Sequence, residues 1–219
     1  MHIKVIDDIY MVGGMEYSEI NDCCVYLLNS KYKVLIDSGL GKRVDKIMDN
    51  INELGVNPFE IKYLILTHCH IDHIGGAKRL RDEIGLKIIA HMCDTPAIMN
   101  ADRRLTAANW YNLQLNPIDV DIILDGEEGY VNDISELKWL HIPGHTPGSI
   151  ALLYERDDMK VLFGQDVHGP LHSEFKSDTT AYKKSLQKLI GLDADILCEG
   201  HYGIIRGKER VRGFMEQFI

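Results

Sequence analysis

Short apolar runs rich in Val, Ile, Leu and Tyr alternate along the chain with longer stretches in which apolar residues recur at helical spacing. A short run bounded by turn residues reads as a strand, and apolar positions three and four apart read as one face of a helix. The alternation therefore predicts a layered α/β fold. Strands are predicted at 3–6, 9–12, 24–28 and 34–36, the last broken by Asp37-Ser38-Gly39. A helix follows, with Val44, Ile47, Met48, Ile51 and Leu54 on its apolar face and Gly55 where a C-terminal cap belongs.

The run Tyr63-Leu64-Ile65-Leu66 predicts another strand. A polar cluster, the pair Gly75-Gly76, a helix to about Ile84 and a strand at 87–90 come next. The later half repeats this style, with strands at 137–141, 150–154 and 160–163, a helix from about 179 to 190, a strand at 196–198 and a terminal helix. Two similar halves predict two sheets packed face to face with helices outside, and the whole chain, 1–219, is read as a single domain. Residues 92–120 are the least regular stretch and carry Arg103, Arg104, Trp110, Tyr111 and Pro117. An insertion of this size reads as a lid or an interface.

Composition removes several partners. The formal net charge is −9, and no block of Lys and Arg interrupts it, so the clustered basic surface that nucleic acid requires is missing. No apolar run approaches the roughly 20 residues needed to cross a bilayer. Asp7 and Asp8 stand where a signal peptide would have its apolar stretch, so the expected compartment is the cytoplasm. The cysteines Cys23, Cys24, Cys69, Cys93 and Cys198 are odd in number and form no CxxC pair, which predicts reduced, mostly buried thiols.

The chemistry is carried by histidine. After the strand at 63–66 the chain reads Thr67-His68-Cys69-His70-Ile71-Asp72-His73-Ile74-Gly75-Gly76. Its HxHxDH pattern would arise by chance about 0.002 times in a chain of this composition. A loop leaving a strand can turn His68 and His70 to one point while Asp72 and His73, adjacent at a helix start, reach a second point beside it. Imidazole and carboxylate suit zinc and other borderline cations, and Gly75 and Gly76 let the helix backbone pack close behind the loop. Further donors stand at the ends of later strands: His145 in Pro143-Gly144-His145-Thr146-Pro147-Gly148, Asp166 in Phe163-Gly164-Gln165-Asp166, and His201 in Glu199-Gly200-His201-Tyr202.

On these motifs, and on the turn Leu35-Ile36-Asp37-Ser38-Gly39, the chain resembles the metallo-β-lactamase-fold hydrolase superfamily over its whole length. The resemblance implies a four-layer αββα sandwich with a dinuclear site: His68, His70 and His145 on the first metal, Asp72, His73 and His201 on the second, and Asp166 bridging both. Two divalent metal ions are implied, zinc or else iron or manganese, since availability decides among ions with the same ligands. A water shared by two such ions becomes hydroxide near neutral pH. Asp72 would orient that nucleophile, and Asp166 would fix the metal separation.

Departures from subfamily patterns narrow the expectation. The β-lactamases of this fold lack the bridging carboxylate, so Asp166 points away from antibiotic hydrolysis. Flavodiiron members place a glutamate where His70 stands, and RNA-processing members carry extra domains or basic arms. The ligand pattern is similar to that of glyoxalase II, the hydroxyacylglutathione hydrolases, and of homoserine lactonases. Glyoxalase II adds a C-terminal region whose basic residues hold glutathione; only about 18 residues follow His201 here, with Arg206, Lys208 and Arg210 as weak substitutes. Lactonases place a tyrosine three residues after the bridging aspartate, where this chain has Gly169. The expected function is hydrolysis of a small-molecule thioester, ester or lactone. The alternatives are a lactonase or phosphotriesterase, or a mononuclear iron persulfide dioxygenase.

Other residues carry two readings. Asp37 either fixes a ligand imidazole or caps its own turn. Alternation points Cys69 away from its histidine neighbours, as a buried structural thiol, and Cys23 and Cys24 read as core by the same argument. His168 and His172 flank Gly169-Pro170 and either touch substrate or serve the loop. His91 reads as rim or packing, His141 as structural and His2 as uninformative. Trp110, Tyr111, Arg103 and Arg104 form a substrate wall or cover a homodimer interface.

Overall fold

The computed structural model describes residues 1–131 and 134–219, which divide into two compact units, 1–124 and 125–219. In the first unit seven strands form one sheet in chain order: β1 (Ile3–Ile6), β2 (Ile9–Gly13), β3 (Val25–Asn29), β4 (Lys33–Ile36), β5 (Ile61–Ile65), β6 (Lys87–His91) and β7 (Ile122–Leu124). Pairing is antiparallel from β1 to β4 and parallel from β4 to β7. Consecutive residues such as Leu35-Ile36, Leu64-Ile65 and Ile88-Ile89 are fully buried, so these strands appear in the sequence as unbroken apolar runs rather than alternations. Parallel register sets Ile36 level with Ile65, and Ile65 level with Ile89. The carboxyl ends of β4, β5 and β6 thus share one edge, where open parallel sheets bind ligands.

Four helices belong to this unit: α1 (Val44–Glu53), α2 (Ile71–Ile74), α3 (Ala77–Ile84) and α4 (Thr95–Met99). α1 buries Val44, Ile47 and Ile51 as its period requires, and its core neighbours include Leu27, Leu35, Leu64 and Ile88. Gly55 adopts φ +76° just beyond it, the left-handed stop expected of a glycine there. Among the described residues, α4 is the one regular helix between 92 and 120; the rest of that stretch is turns and extended chain.

α2 sits tightly behind the turn that follows β4. A Cβ placed on Gly75 would overlap the Leu40 carbonyl, and one on Gly76 would overlap the Ser38 carbonyl. Gly75→Ala is therefore expected to cost about 2–4 kcal/mol, read from the urea midpoint. Gly85→Ala, at φ +76° with open space around it, should cost only the backbone penalty of about 1–2 kcal/mol. Equal effects at the two glycines would contradict the close approach.

The second unit holds β8 (Glu128–Val131), β9 (Ile134–His141), β10 (Ile150–Arg156), β11 (Met159–Phe163), β12 (Ile196–Glu199) and β13 (Gly203–Arg206), in sheet order β13-β12-β11-β10-β9-β8. Among the described residues of this unit only β11 and β12 pair in parallel, joined through α5 (Thr179–Ile190). α6 (Lys208–Glu216) closes the chain. The core is Leu140, Leu153, Leu162, Leu186, Leu189 and Leu197 with their neighbours. Asp178 caps α5 by accepting from the Thr180 and Ala181 N–H groups at 2.8 and 2.9 Å. Because Phe163, the last residue of β11, pairs with Cys198, one residue before the end of β12, the loops carrying Asp166 and His201 leave the sheet side by side. No helix among the described residues is long and apolar enough to cross a membrane.

Candidate metal centre

In the first unit the donors lie on the connection from β5 to α2. His68, His70, Asp72 and His73 are all buried. The His68 ring centroid is 4.7 Å from that of His70 and 4.1 Å from that of His73, so the HxHxDH spacing does gather three imidazoles. Asp72 Oδ2 lies 3.7 Å from His73 Nε2.

Asp37 organises this group. It follows the last residue of β4 at φ +58° and is fully buried. Its Oδ1 accepts from the Thr67 N–H at 2.8 Å, and its Oδ2 accepts from the Thr67 hydroxyl and from His73 Nδ1, each at 2.7 Å. A carboxylate only accepts, so the single hydroxyl hydrogen of Thr67 is directed to Asp37. The Thr67 Oγ1 lone pair is then left to accept from His68 Nδ1 at 3.2 Å. One carboxylate thus fixes both His68 and His73 as Nδ1–H tautomers, each with its Nε2 lone pair available to a cation. Of the two readings of Asp37 in the sequence, the structure favours imidazole orientation. The Ser38 N–H and hydroxyl both donate to the His73 carbonyl, at 2.7 and 2.8 Å, and hold α2 in place.

Between His68 and His70, Cys69 turns away. Its thiol donates to the Leu105 carbonyl at 3.3 Å, its N–H donates to Asp94 Oδ2 at 2.9 Å, and burial pushes the thiol well up. The Ile71 N–H donates to the Thr106 carbonyl at 2.8 Å. The irregular 92–120 stretch thereby braces the metal-binding loop through Asp94, Leu105 and Thr106. Tyr111 packs on Leu40 and Ile71 in the same layer, whereas Trp110 is exposed.

In the second unit Asp166 is the centre. It is 4% exposed and adopts φ +51° beyond β11. One carboxylate oxygen stands 3.4 Å from His145 Nε2 and the other 3.4 Å from His201 Nε2. His145 Nδ1 donates to the Pro170 carbonyl at 2.9 Å, which again reserves Nε2 for a cation. Donor atoms about 2.05 Å from a tetrahedral ion lie roughly 3.3 Å apart, so both Asp166 separations match two ligands of one ion. The donor set and its spacing fit a divalent metal.

Glu199, fully buried at the end of β12, holds the other side of the site. Its Oε1 accepts from His168 Nδ1 at 2.7 Å, and its Oε2 accepts from the N–H groups of His201 and Tyr202 at 2.7 and 2.9 Å. Sequence reasoning passed over Glu199 and Thr67. Their one signal is position, a polar residue at a strand end directly before or nearly before a ligand. The remaining histidines serve their own turns. His91 Nδ1 accepts from the Cys93 N–H, His141 Nε2 bonds the Pro147 carbonyl, His172 Nδ1 accepts from the Glu174 N–H, and His2 packs edge-on against Tyr10.

Buried imidazoles and carboxylates at strand ends, with their tautomers fixed for metal binding, mark a hydrolase of the divalent-metal class. The chain belongs to the metallo-β-lactamase superfamily, whose family model matches residues 21–201. It is similar to the probable metallo-hydrolase YflN of Bacillus subtilis (strain 168), 29% identical over 206 residues, covering 80% of this chain and 77% of the relative. It is also similar to the hydroxyacylglutathione hydrolase GloC of Haemophilus influenzae, 27% identical over 215 residues, covering 89% and 92%. A solved B3 metallo-β-lactamase with an active-site glutamic acid matches with a TM-score of 0.78 and 20% identity, covering 99% of this chain and 86% of that one. The fold expected from the sequence is therefore the fold found, two mixed sheets with flanking helices.

Proposed function

We propose that the protein is a dinuclear metal-dependent hydrolase of a small-molecule thioester, ester or lactone, similar in activity to the hydroxyacylglutathione hydrolases. In this reading His68, His70 and His145 hold one cation, Asp72, His73 and His201 hold the second, and Asp166 bridges them. The supporting observation is Asp166 itself, with its two oxygens turned to two different imidazoles, each at 3.4 Å. The superfamily's β-lactamases lack such a carboxylate, which is why antibiotic hydrolysis is not proposed. When bound, the cations would acidify water toward neutral pH and polarise the scissile carbonyl.

The chain's own residues prepare that chemistry. Asp37 and Thr67 keep the protons of His73 and His68 on Nδ1, and the Pro170 carbonyl does the same for His145. Asp72 adds a carboxylate beside His73, placed to accept a proton from the attacking water. Glu199 holds a proton on His168 Nδ1 and so fixes the orientation of the His168 ring.

A panel of thioester, ester, lactone and phosphotriester substrates, assayed with a known amount of added zinc, iron or manganese, tests the reading. Turnover of a carboxylic thioester or ester that chelation abolishes and metal restores is expected. Turnover confined to lactones would narrow the assignment to a lactonase, and turnover confined to phosphotriesters would move it to that class. Persulfide-dependent oxygen uptake with one iron per chain would overturn it.

A further inference from the structure

The surface next to His201 is aromatic. The Tyr202 ring is 5.1 Å from His168 and 5.2 Å from Phe214, Phe214 is 5.3 Å from Phe218, and Phe218 is 6.4 Å from His168. These four rings form a closed circuit of edge-to-face contacts, the favoured geometry for aromatic pairs. His168 also meets His201 edge-on at 5.4 Å, which joins the circuit to the Asp166 group. Phe214 and Phe218 pack on the core of the second unit, and Glu199 fixes His168, so three of the four rings are anchored. Tyr202 is 61% exposed, far more than a core residue would be, and it offers an apolar face to solvent directly after a proposed ligand.

Two cationic side chains of α6 pair with aspartates of the same unit. Lys208 Nζ lies 2.9 Å from Asp193 Oδ2 and 3.9 Å from Asp195 Oδ1, and Arg212 lies 3.1 Å from Asp193 Oδ1. A recogniser of glutathione needs charge for two carboxylates. Lys208 and Arg212 instead face Asp193 and Asp195, and the surface beside His201 presents aromatic carbon.

We infer that Tyr202, Phe214, Phe218 and His168 form a wall that binds the hydrocarbon body of the substrate, so that the hydrolase acts on alkyl or aryl esters or thioesters rather than on glutathione conjugates. The inference rests on the hydrolase reading for its substrate and on the ring geometry for its chemistry. A flat apolar wall rewards each methylene laid on it, by about twofold in affinity, and aromatic rings add edge and face contacts to planar substituents.

Calorimetric titration of the metal-loaded protein with butanoate, hexanoate, octanoate and glutathione tests it, alongside a parallel series of straight-chain alkanols. The alkanoates report the acyl side of the substrate and the alkanols the leaving-group side. Affinity rising about twofold per methylene in either series, with glutathione binding more weakly than octanoate, is expected. Tyr202→Ala should flatten that gradient and reduce the long-to-short ratio of kcat/KM. Phe218→Ala should do the same, with its melting curve reporting any loss of packing. A flat series, tighter binding of glutathione than of octanoate, or an unchanged gradient in Tyr202→Ala would overturn the inference. A gradient in a protein that hydrolyses no ester or thioester would sustain the wall and remove the hydrolase reading; hydrolysis without a gradient would do the reverse.

Discussion

Asp166→Asn is expected to lower ester or thioester turnover on the order of a thousandfold, because the cations it is proposed to bridge would supply several kcal/mol of transition-state stabilisation. The substitution is nearly isosteric. Asparagine also tolerates the left-handed φ of +51° that this position requires, so the metal-free variant should melt within a few degrees of the parent. What changes is charge: the site loses the anion that faces both His145 Nε2 and His201 Nε2 at 3.4 Å. Asp166→Ala adds roughly 1–2 kcal/mol of backbone strain and should be as inactive. Initial rates and melting curves on the same preparations check this. A folded Asp166→Asn protein with parental turnover would remove the bridging role.

The second large effect is expected at Asp37, which touches no substrate. Its carboxylate accepts three hydrogen bonds in a fully buried setting. Asp37→Ala would strand the Thr67 N–H, the Thr67 hydroxyl and His73 Nδ1. At about 1–3 kcal/mol for each buried group left unsatisfied, much of the protein's stability would be lost. Asp37→Asn is the sharper experiment. Its amide can present NH₂ in place of Oδ2, which favours moving the His73 proton to Nε2 and blocks that nitrogen as a ligand. Metal affinity is expected to fall about 10–100-fold, with a smaller loss of stability than in the alanine variant. Titration with zinc under competition from a chelator reads the affinity, and urea unfolding of the metal-free protein reads the stability. Unchanged affinity in Asp37→Asn would show that the carboxylate serves only its turn.

Much of this was legible in the sequence, for identifiable reasons. β4, β5, β11 and β12 are buried on consecutive residues, so each left an unbroken apolar run, and the polar residues ending those runs are the site. The strands that left no clear signal are β7, β8 and β13. They are short sheet-edge strands: β7 has only three residues, and Glu128, Gly129, Gly203 and Arg206 interrupt the apolar character of β8 and β13, as edges are commonly blunted against further pairing. The proposed ligand histidines are legible by their spacing. Glu199 and Thr67 are not, because an acid or hydroxyl beside a ligand has no spacing rule. Only three-dimensional contact shows that Glu199 carries His168 and the backbone of His201. The 92–120 stretch was recognised as irregular, but its bracing of the metal-binding loop through Asp94 and Thr106 depends on contacts that no periodicity encodes.

The charge of the chain also takes on a local meaning. The net −9 includes Asp37, Asp72 and Asp166, all buried near imidazoles. Burying so many carboxylates is costly without positive charge to offset it, and two divalent cations would supply that charge.

The account rests most directly on the number of cations each chain holds. Elemental analysis of protein saturated with zinc, iron or manganese and then desalted, run beside the thioester and ester assay on the same sample, gives that number. Two cations per chain in the fully active parent and one or fewer in Asp166→Asn are predicted. Full activity with a single cation per chain, or with none, would contradict a dinuclear hydrolase.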